Sequence, residues 1–308
     1  IGRRPTWRTG NSMVTIAQAL AYATAGAALS DDALASLRFE TELLLMNAAG
    51  CTRASLLTWP ARELEPAVLA TFEQTLKRRL EGEPLAYILG VREFWDFELV
   101  VSPAVLIPRP ETELLVETAL EIAAGREGVQ HLLDLGTGSG AIAIALARAA
   151  ERYRVIGVEL SPEALLVAQE NGSRLAGENL DFVQGSWLSN EVCADIASQW
   201  QAHSAGLVDI IVSNPPYIAP GDPHLTEGDL VHEPALALSC EEFGLAAIHT
   251  IVRQSKQMLK QGGWLLFEHG FDQREPVASA LLAAGFVAVE CLPDIAGRDR
   301  VTRGRLGV

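Results

Sequence analysis

Beyond Pro110 the chain alternates short apolar runs with amphipathic stretches, and few folds accommodate that alternation. The runs His131–Leu135, Arg154–Glu159, Leu180–Gln184, Leu207–Ser213, Gly263–His269, Phe286–Leu292 and Val301–Leu306 read as seven strands. Helices fit between them; Ser161-Pro162-Glu163 opens one with an N-cap, a proline at the first helical position and an early acid. Strands alternating with helices predict an α/β fold, a doubly wound parallel sheet covered on both faces. The segment Pro293–Arg300 is too short for a crossover helix, so the last two strands are expected to pair antiparallel.

The sequence before this part has a different character. From Met13 to about Glu83 the pattern is helical. Asp31-Asp32 offers an N-cap, after which Leu34, Leu37, Thr41, Leu44, Leu45 and Ala48 share one helix face and Gly50 ends the run. A second run, Leu64–Leu80, closes with Lys77, Arg78 and Arg79, which favour the negative helix end. Residues 13–83 are therefore expected to form an N-terminal helical bundle domain. Residues 84–107, with β-like Phe97–Val101 and the aromatic Tyr87, Phe94, Trp95 and Phe97, read as a linker containing a β-hairpin whose aromatic side chains cement the junction. Residues 108–308 form the larger domain. Ile1–Ser12 is left out of the fold argument.

Composition excludes several classes. With 49% apolar residues and 20% charged, disorder is not the main state. The formal net charge of −15 repels phosphate backbones, so no direct DNA binding is expected. Cys51, Cys193, Cys240 and Cys291 are far apart and read as buried thiols of a reducing compartment. No apolar run is long enough to span a membrane and no signal peptide is visible, so a cytoplasmic location is expected.

The first strand of the larger domain runs into Asp134-Leu135-Gly136-Thr137-Gly138-Ser139-Gly140. Glycines at a strand-to-helix turn let the backbone approach a ligand, and the following helix offers free amides. Dinucleotide folds prefer the Gly-x-Gly-x-x-Gly spacing; here it is Gly-x-Gly-x-Gly after an acid. Glu159 ends the next strand, where a carboxylate can accept both hydroxyls of a ribose. An acidic rim also suits a positively charged sulfonium cofactor better than a phosphate.

The strand Leu207–Ser213 runs straight into Asn214-Pro215-Pro216-Tyr217. Two prolines stiffen the chain and remove two amide donors. Backbone carbonyls and the Asn214 side-chain oxygen can then converge as acceptors, matching the donors of an amide NH₂ or of an amine on a planar carbon. Tyr217 supplies a flat wall.

Together Asp134–Gly140, Glu159 and Asn214–Tyr217 resemble class I methyltransferases that use S-adenosylmethionine to methylate planar nitrogens. Gly82–Tyr87, Gly90–Trp95, Ile107–Glu113, Leu266–Gly270 and Arg300–Arg305 resemble, more narrowly, the release factor glutamine methyltransferases, the PrmC/HemK family. That resemblance covers almost the whole chain from Met13. It implies a seven-stranded, Rossmann-like methyltransferase sheet behind a helical substrate-recognition domain. It also implies methyl transfer from S-adenosylmethionine to the side-chain amide nitrogen of the glutamine in the Gly-Gly-Gln motif of class-1 peptide chain release factors, a step that tunes translation termination. Carried over by position, Gly136, Thr137, Gly138, Ser139 and Gly140 cradle the cofactor, Glu159 takes its ribose, Trp187 lies beside the adenine and Asn214 reaches the cofactor as well. Asn214 and the Pro215 carbonyl hold the glutamine amide, and Pro216 and Tyr217 complete the pocket; Asn214, Pro215 and Tyr217 are the expected catalytic residues. In Gly185-Ser186-Trp187 a serine stands where family members often have an acid.

Two acceptors gripping the amide NH₂ align its nitrogen for in-line attack and stabilise the positive charge that grows there, so neither a dedicated general base nor a metal is expected. His224, His232, His249 and His269 show no ligand spacing. Glu268-His269-Gly270 ends a strand on the cofactor side, where it either lines the site or packs. Asp222, Glu227, Asp229, Glu233, Glu241 and Glu242 fit a solvated loop and a surface for a basic partner equally well. Two rival classes remain: an amino-methyltransferase acting on a nucleobase, which predicts a basic groove beside Asn214–Tyr217, and a cofactor-binding module without catalysis.

Overall fold

The computed structural model describes residues 13–25, 30–200, 207–226 and 228–307; Ile1–Ser12 and the acidic Glu227 lie outside them. The chain divides into two compact units, one ending at Leu89 and the other beginning at Gly90.

The first unit is helical. It contains α1 (Ile16–Thr24), α2 (Asp31–Ala49), α3 (Arg53–Thr58), α4 (Pro66–Leu80) and α5 (Leu85–Leu89). The N-cap of α2 is Ser30, not the expected Asp31-Asp32: the Ser30 hydroxyl accepts the Ala33 amide at 3.3 Å. The two aspartates fall in the first turn, where their charge favours the positive end of the helix. Gly50 closes α2 with φ 58°, a left-handed value that glycine adopts without cost. The repeat along α2 and α4 buries Leu44, Leu45, Phe72 and Leu76, and the Arg79 guanidinium grips Glu40 at 2.8 Å to tie α4 to α2. α5 falls inside the expected linker: Pro84 presets the backbone, and its carbonyl accepts the amides of Tyr87 and Ile88.

The second unit opens with the expected hairpin, β1 (Val91–Phe94) and β2 (Phe97–Val100), with Phe94 opposite Phe97. The two rings meet edge to face at 6.1 Å, and the Arg148 guanidinium lies over Phe97. The Asn171 carboxamide holds Val100 through both backbone groups, at 2.8 and 2.9 Å. Phe94 and Phe97 therefore pack within this unit.

Next come α6 (Glu113–Ala124), β3 (Gln130–Leu135), α7 (Ala141–Ala149), β4 (Tyr153–Glu159), α8 (Pro162–Leu175), β5 (Leu180–Gln184), α9 (Asn190–Gln199) and β6 (Val208–Ser213). A rim segment follows with two one-turn elements, α10 (Ala235–Leu238) and α11 (Glu241–Gly244). The chain finishes with α12 (Ala246–Ser255), β7 (Leu259–Glu268), α13 (Arg274–Ala283), β8 (Phe286–Pro293) and β9 (Asp299–Leu306).

Strands β3 to β9 form one seven-stranded sheet in the order β5-β4-β3-β6-β7-β9-β8. The pairs β3–β4, β4–β5, β3–β6 and β6–β7 are parallel. β9 runs antiparallel to both β7 and β8, so the sheet is mixed, not wholly parallel. The short connection explains this: the Asp294 amide reaches the Arg298 carbonyl at 2.8 Å, a tight turn that forces reversal. Leu133, Leu135, Ile156, Val158, Ile211 and Phe267 are buried on the sheet. Strand order reverses at β3, leaving a crevice beyond the carboxyl ends of β3 and β6. Of the four free thiols only Cys193 is buried; Cys51, Cys240 and Cys291 are half-buried.

Candidate active site

At the end of β3, Asp134 is completely buried. One carboxyl oxygen accepts the Thr137 hydroxyl at 2.6 Å and the Ala143 amide at 3.2 Å, which fastens the glycine turn to the first turn of α7. The other oxygen has no hydrogen-bond partner among the described residues. Burial pushes this carboxyl up to about 7, against the opposing pull of the Thr137 and Ala143 hydrogen bonds.

In the turn, Gly136 and Gly138 take φ values of 76° and 56°. A side chain built on Gly138 would meet nothing within 4 Å, so its backbone faces open space. The Gly138 amide donates to Glu159 at 2.9 Å, and the Ser161 amide donates to the second Glu159 oxygen at 2.9 Å. Glu159 is thereby fixed at the end of β4 with lone pairs to spare.

β6 delivers the third component. The Ser213 hydroxyl donates to the Leu135 carbonyl at 2.7 Å, tying the two strand ends together just before Asn214. The chain after Asn214 is held by its backbone. Cys240 Sγ donates to the Pro216 carbonyl at 3.0 Å, Gln273 Nε2 donates to the Tyr217 carbonyl at 2.9 Å, and Ile218 exchanges backbone bonds with Leu238 and Cys240. Burial raises the Tyr217 phenol well above its ordinary value.

These three strand ends meet at a cavity of about 640 Å³, of the size that takes a nucleoside-sized ligand. Among the expected site residues, Gly136, Gly138, Glu159, Trp187, Asn214 and Pro216 line it, and Ser186 stands beside Trp187. Trp187 packs against the Gly136 backbone, within 3.2 Å of where a side chain on Gly136 would begin. Thr137, Ser139, Gly140, Pro215 and Tyr217 are not in the lining. Thr137 and Ser139 are buried under the turn, where Thr137 serves Asp134 and the Ser139 carbonyl accepts Asn171 Nδ2. Gly140 caps α7 and Pro215 is buried.

The wall also takes in apolar residues that carry no chemical signal in sequence: Val105 and Leu106 from the loop after β2, and Leu236 and Ala237 from α10. That loop and the segment before α10 are latched by Glu233, whose side chain is wholly buried, bonded to the Arg109 guanidinium and accepting the Ile107 amide at 3.1 Å. Glu233 is therefore not a surface charge, unlike the expectation for the acidic stretch. Sequence reading gave Thr112 no role and left Glu268 open between lining the site and packing; both stand beside Asn214. Thr112 Oγ1 accepts Asn214 Nδ2 at 3.3 Å, and buried Glu268 ends β7, next to β6. Both stand in segments quoted for the family resemblance, which was the signal available.

Residues 128–277 match the family profile of a methyltransferase domain, which places the sheet and its cavity in that class of transferases. Residues 18–90 match the profile of the PrmC N-terminal domain, and their end coincides with the division between the two units. A release factor glutamine methyltransferase of Vibrio cholerae is 47% identical over 292 residues, covering 95% of this chain and 97% of that one. Relatives with the same name from Aliivibrio fischeri and Escherichia coli are 42% and 43% identical, each over 270 residues and 88% of this chain, with 90% and 92% of their own lengths covered. The chain belongs to the release factor glutamine methyltransferase family.

Proposed function

We propose that the chain transfers a methyl group from S-adenosylmethionine to the side-chain amide nitrogen of the glutamine in the Gly-Gly-Gln motif of a class-1 peptide release factor. The observation that carries this reading is the convergence of Glu159 and Asn214 on one cavity beyond the ends of β4 and β6. The cavity suits the cofactor. Glu159 has acceptor capacity left for ribose hydroxyls, the Gly138 backbone is open to a ligand, and Trp187 offers an aromatic face to a base. When bound, the cofactor supplies an electrophilic methyl on a sulfonium.

The chain's own part is to hold and align. An amide nitrogen is a poor nucleophile because its lone pair is delocalised into the carbonyl. Asn214 Oδ1 and the Pro215 carbonyl accept its two protons, turn the lone pair toward the methyl and stabilise the charge that develops on nitrogen. The two prolines keep these acceptors in place before the substrate arrives. Tyr217, which follows Asn214 but does not line the cavity itself, is the proposed wall for the substrate glutamine, and the helical unit serves substrate recognition. The location proposed is the cytoplasm, where release factors work; no described helix is long and apolar enough to cross a membrane.

Methyl-labelled S-adenosylmethionine offered with a release factor, its Gly-Gly-Gln→Gly-Gly-Ala variant and duplex DNA tests the assignment. Label on the unaltered factor alone is expected. Label on DNA would replace this reading with the nucleobase one, and bound cofactor with no label anywhere would reduce the chain to a binding module. Asn214→Ala should lower kcat by about a hundredfold while cofactor affinity stays within a few-fold, as for loss of an interaction made mainly in the transition state. Single-turnover kinetics beside cofactor titration reads both.

A further inference from the structure

Asn214 can serve the amide only if its oxygen, not its NH₂, faces the cavity, and nothing on Asn214 itself decides between the two orientations. The decision lies behind it. Asn214 Nδ2 donates to the buried Thr112 hydroxyl at 3.3 Å. A hydroxyl has one proton, so having accepted from Asn214, Thr112 must direct its own proton elsewhere. The buried Glu268 carboxyl neighbours both the Thr112 hydroxyl and the Tyr217 phenol. Glu268 is 1% exposed, and its Oε2 has no partner among the described residues.

Resting on the reading just proposed, we infer that Thr112 and Glu268 form a positioning relay that fixes which end of the Asn214 carboxamide faces the substrate amide. An ionised Glu268 can only accept. The chain of bonds then runs one way, from Asn214 Nδ2 to Thr112 and from Thr112 to Glu268, and Asn214 Oδ1 is left toward the cavity. A protonated Glu268 can donate to Thr112, which can then donate to Asn214 Oδ1 and turn the carboxamide over. The NH₂ of Asn214 would then oppose the NH₂ of the substrate. The relay accounts for two segments that the proposed chemistry leaves without a role, Pro110–Thr112 and Phe267–His269.

Other groups set the balance around Glu268. Burial pushes its carboxyl up to about 7; hydrogen bonding by Thr112, the Arg300 charge on β9 and the Tyr217 phenol pull it down, while Glu111 pushes it further up. Burial lowers the adjoining His269 imidazole, which bonds the Thr302 hydroxyl at 2.7 Å, against the opposing pull of its bond to the Gly270 carbonyl. The switch from the permissive to the enforced orientation therefore falls near pH 7.

The test compares wild type, Thr112→Val, Thr112→Ser and Glu268→Gln on a Gly-Gly-Gln peptide, on either side of pH 7. Side-chain amide NMR signals of Asn214, assigned through Asn214→Asp, are followed in parallel. In wild type kcat is expected to rise through pH 7 with KM little changed, and the Asn214 signals to titrate with it. Thr112→Val should lower kcat about tenfold and remove the pH step, Thr112→Ser should keep both, and near-isosteric Glu268→Gln should flatten the profile and the NMR titration. A pH step and kcat that survive Thr112→Val, or Asn214 signals that do not respond to Glu268→Gln, overturn the relay. If Thr112→Val does not fold, Glu268→Gln decides alone. A wild type that methylates no glutamine removes the proposed function, and the NMR titration still decides the relay.

Discussion

Asp134 sits with its carboxyl inside the protein, bonded through one oxygen to the Thr137 hydroxyl and the Ala143 amide. Its folded-state value of about 7 lies above the ordinary carboxylate value of about 3.9. Between those values the folded state binds more protons than the unfolded one, so this group's contribution to stability falls as pH rises through the window and is constant above it. The steepest slope one such group gives is about 1.4 kcal/mol per pH unit. Glu268, at about 7, acts with the same sign. Asp134→Asn keeps an acceptor for Thr137 and Ala143 but removes one titration. Urea unfolding at pH 5 and at pH 7 should therefore show a smaller loss of stability in the variant than in wild type. Equal losses would place the Asp134 carboxyl in the ordinary range.

Among the elements, the rim segment after β6 is tightly constrained where it passes Tyr217. Gly244 has φ 81°, and a side chain built on it would lie 2.0 Å from the Tyr217 carbonyl oxygen. Glu242 and Phe243 before it also hold left-handed backbone, so strain is concentrated where the rim meets Tyr217. Gly244→Ala must move the Tyr217 backbone. The expected cost is about 2 kcal/mol of stability, with a loss of turnover larger than the loss of cofactor affinity, because Tyr217 is outside the cavity lining. Thermal unfolding, cofactor titration and turnover on one preparation check this, and unchanged turnover would detach the rim from the chemistry. Little of this segment was legible in the sequence. The seven strands were, β3, β4 and β6 most plainly, because burial on both faces makes their runs almost continuously apolar. β7 nevertheless begins at Leu259, not Gly263, since Lys260, Gln261 and Gly262 hide its start. α3 and α5 were missed because one or two turns are too short for a period to show. At the site, Gly136, Glu159 and Asn214 announce themselves by residue type at strand ends. Val105, Leu106, Leu236 and Ala237 do not, since an apolar wall residue reads like any core residue. The meeting of Thr112, Asn214 and Glu268 is a tertiary fact, made by three segments far apart in the chain.

At the scale of the whole molecule, the net charge of −15 and the division into two units point the same way. An acidic surface repels a phosphate backbone, and the proposed protein substrate requires no such contact. Each unit has its own core: Leu44, Leu45, Leu56 and Phe72 in the first, and the sheet residues Leu133, Ile156, Ile211 and Phe267 in the second. The residues lining the cavity run from Ala104 to Thr250, all in the second unit. A chain beginning at Gly90 should therefore bind S-adenosylmethionine with unchanged affinity and methylate a short Gly-Gly-Gln peptide at the full-length rate. If the helical unit recognises the substrate protein, kcat/KM on an intact release factor should fall by about tenfold or more, chiefly through KM, the signature of lost uniform binding. Equal kcat/KM on the intact factor would leave the helical unit without a recognition role. Loss of the peptide reaction as well would make it a requirement of the catalytic fold, and circular dichroism with cofactor titration on the shortened chain would separate that result from simple misfolding.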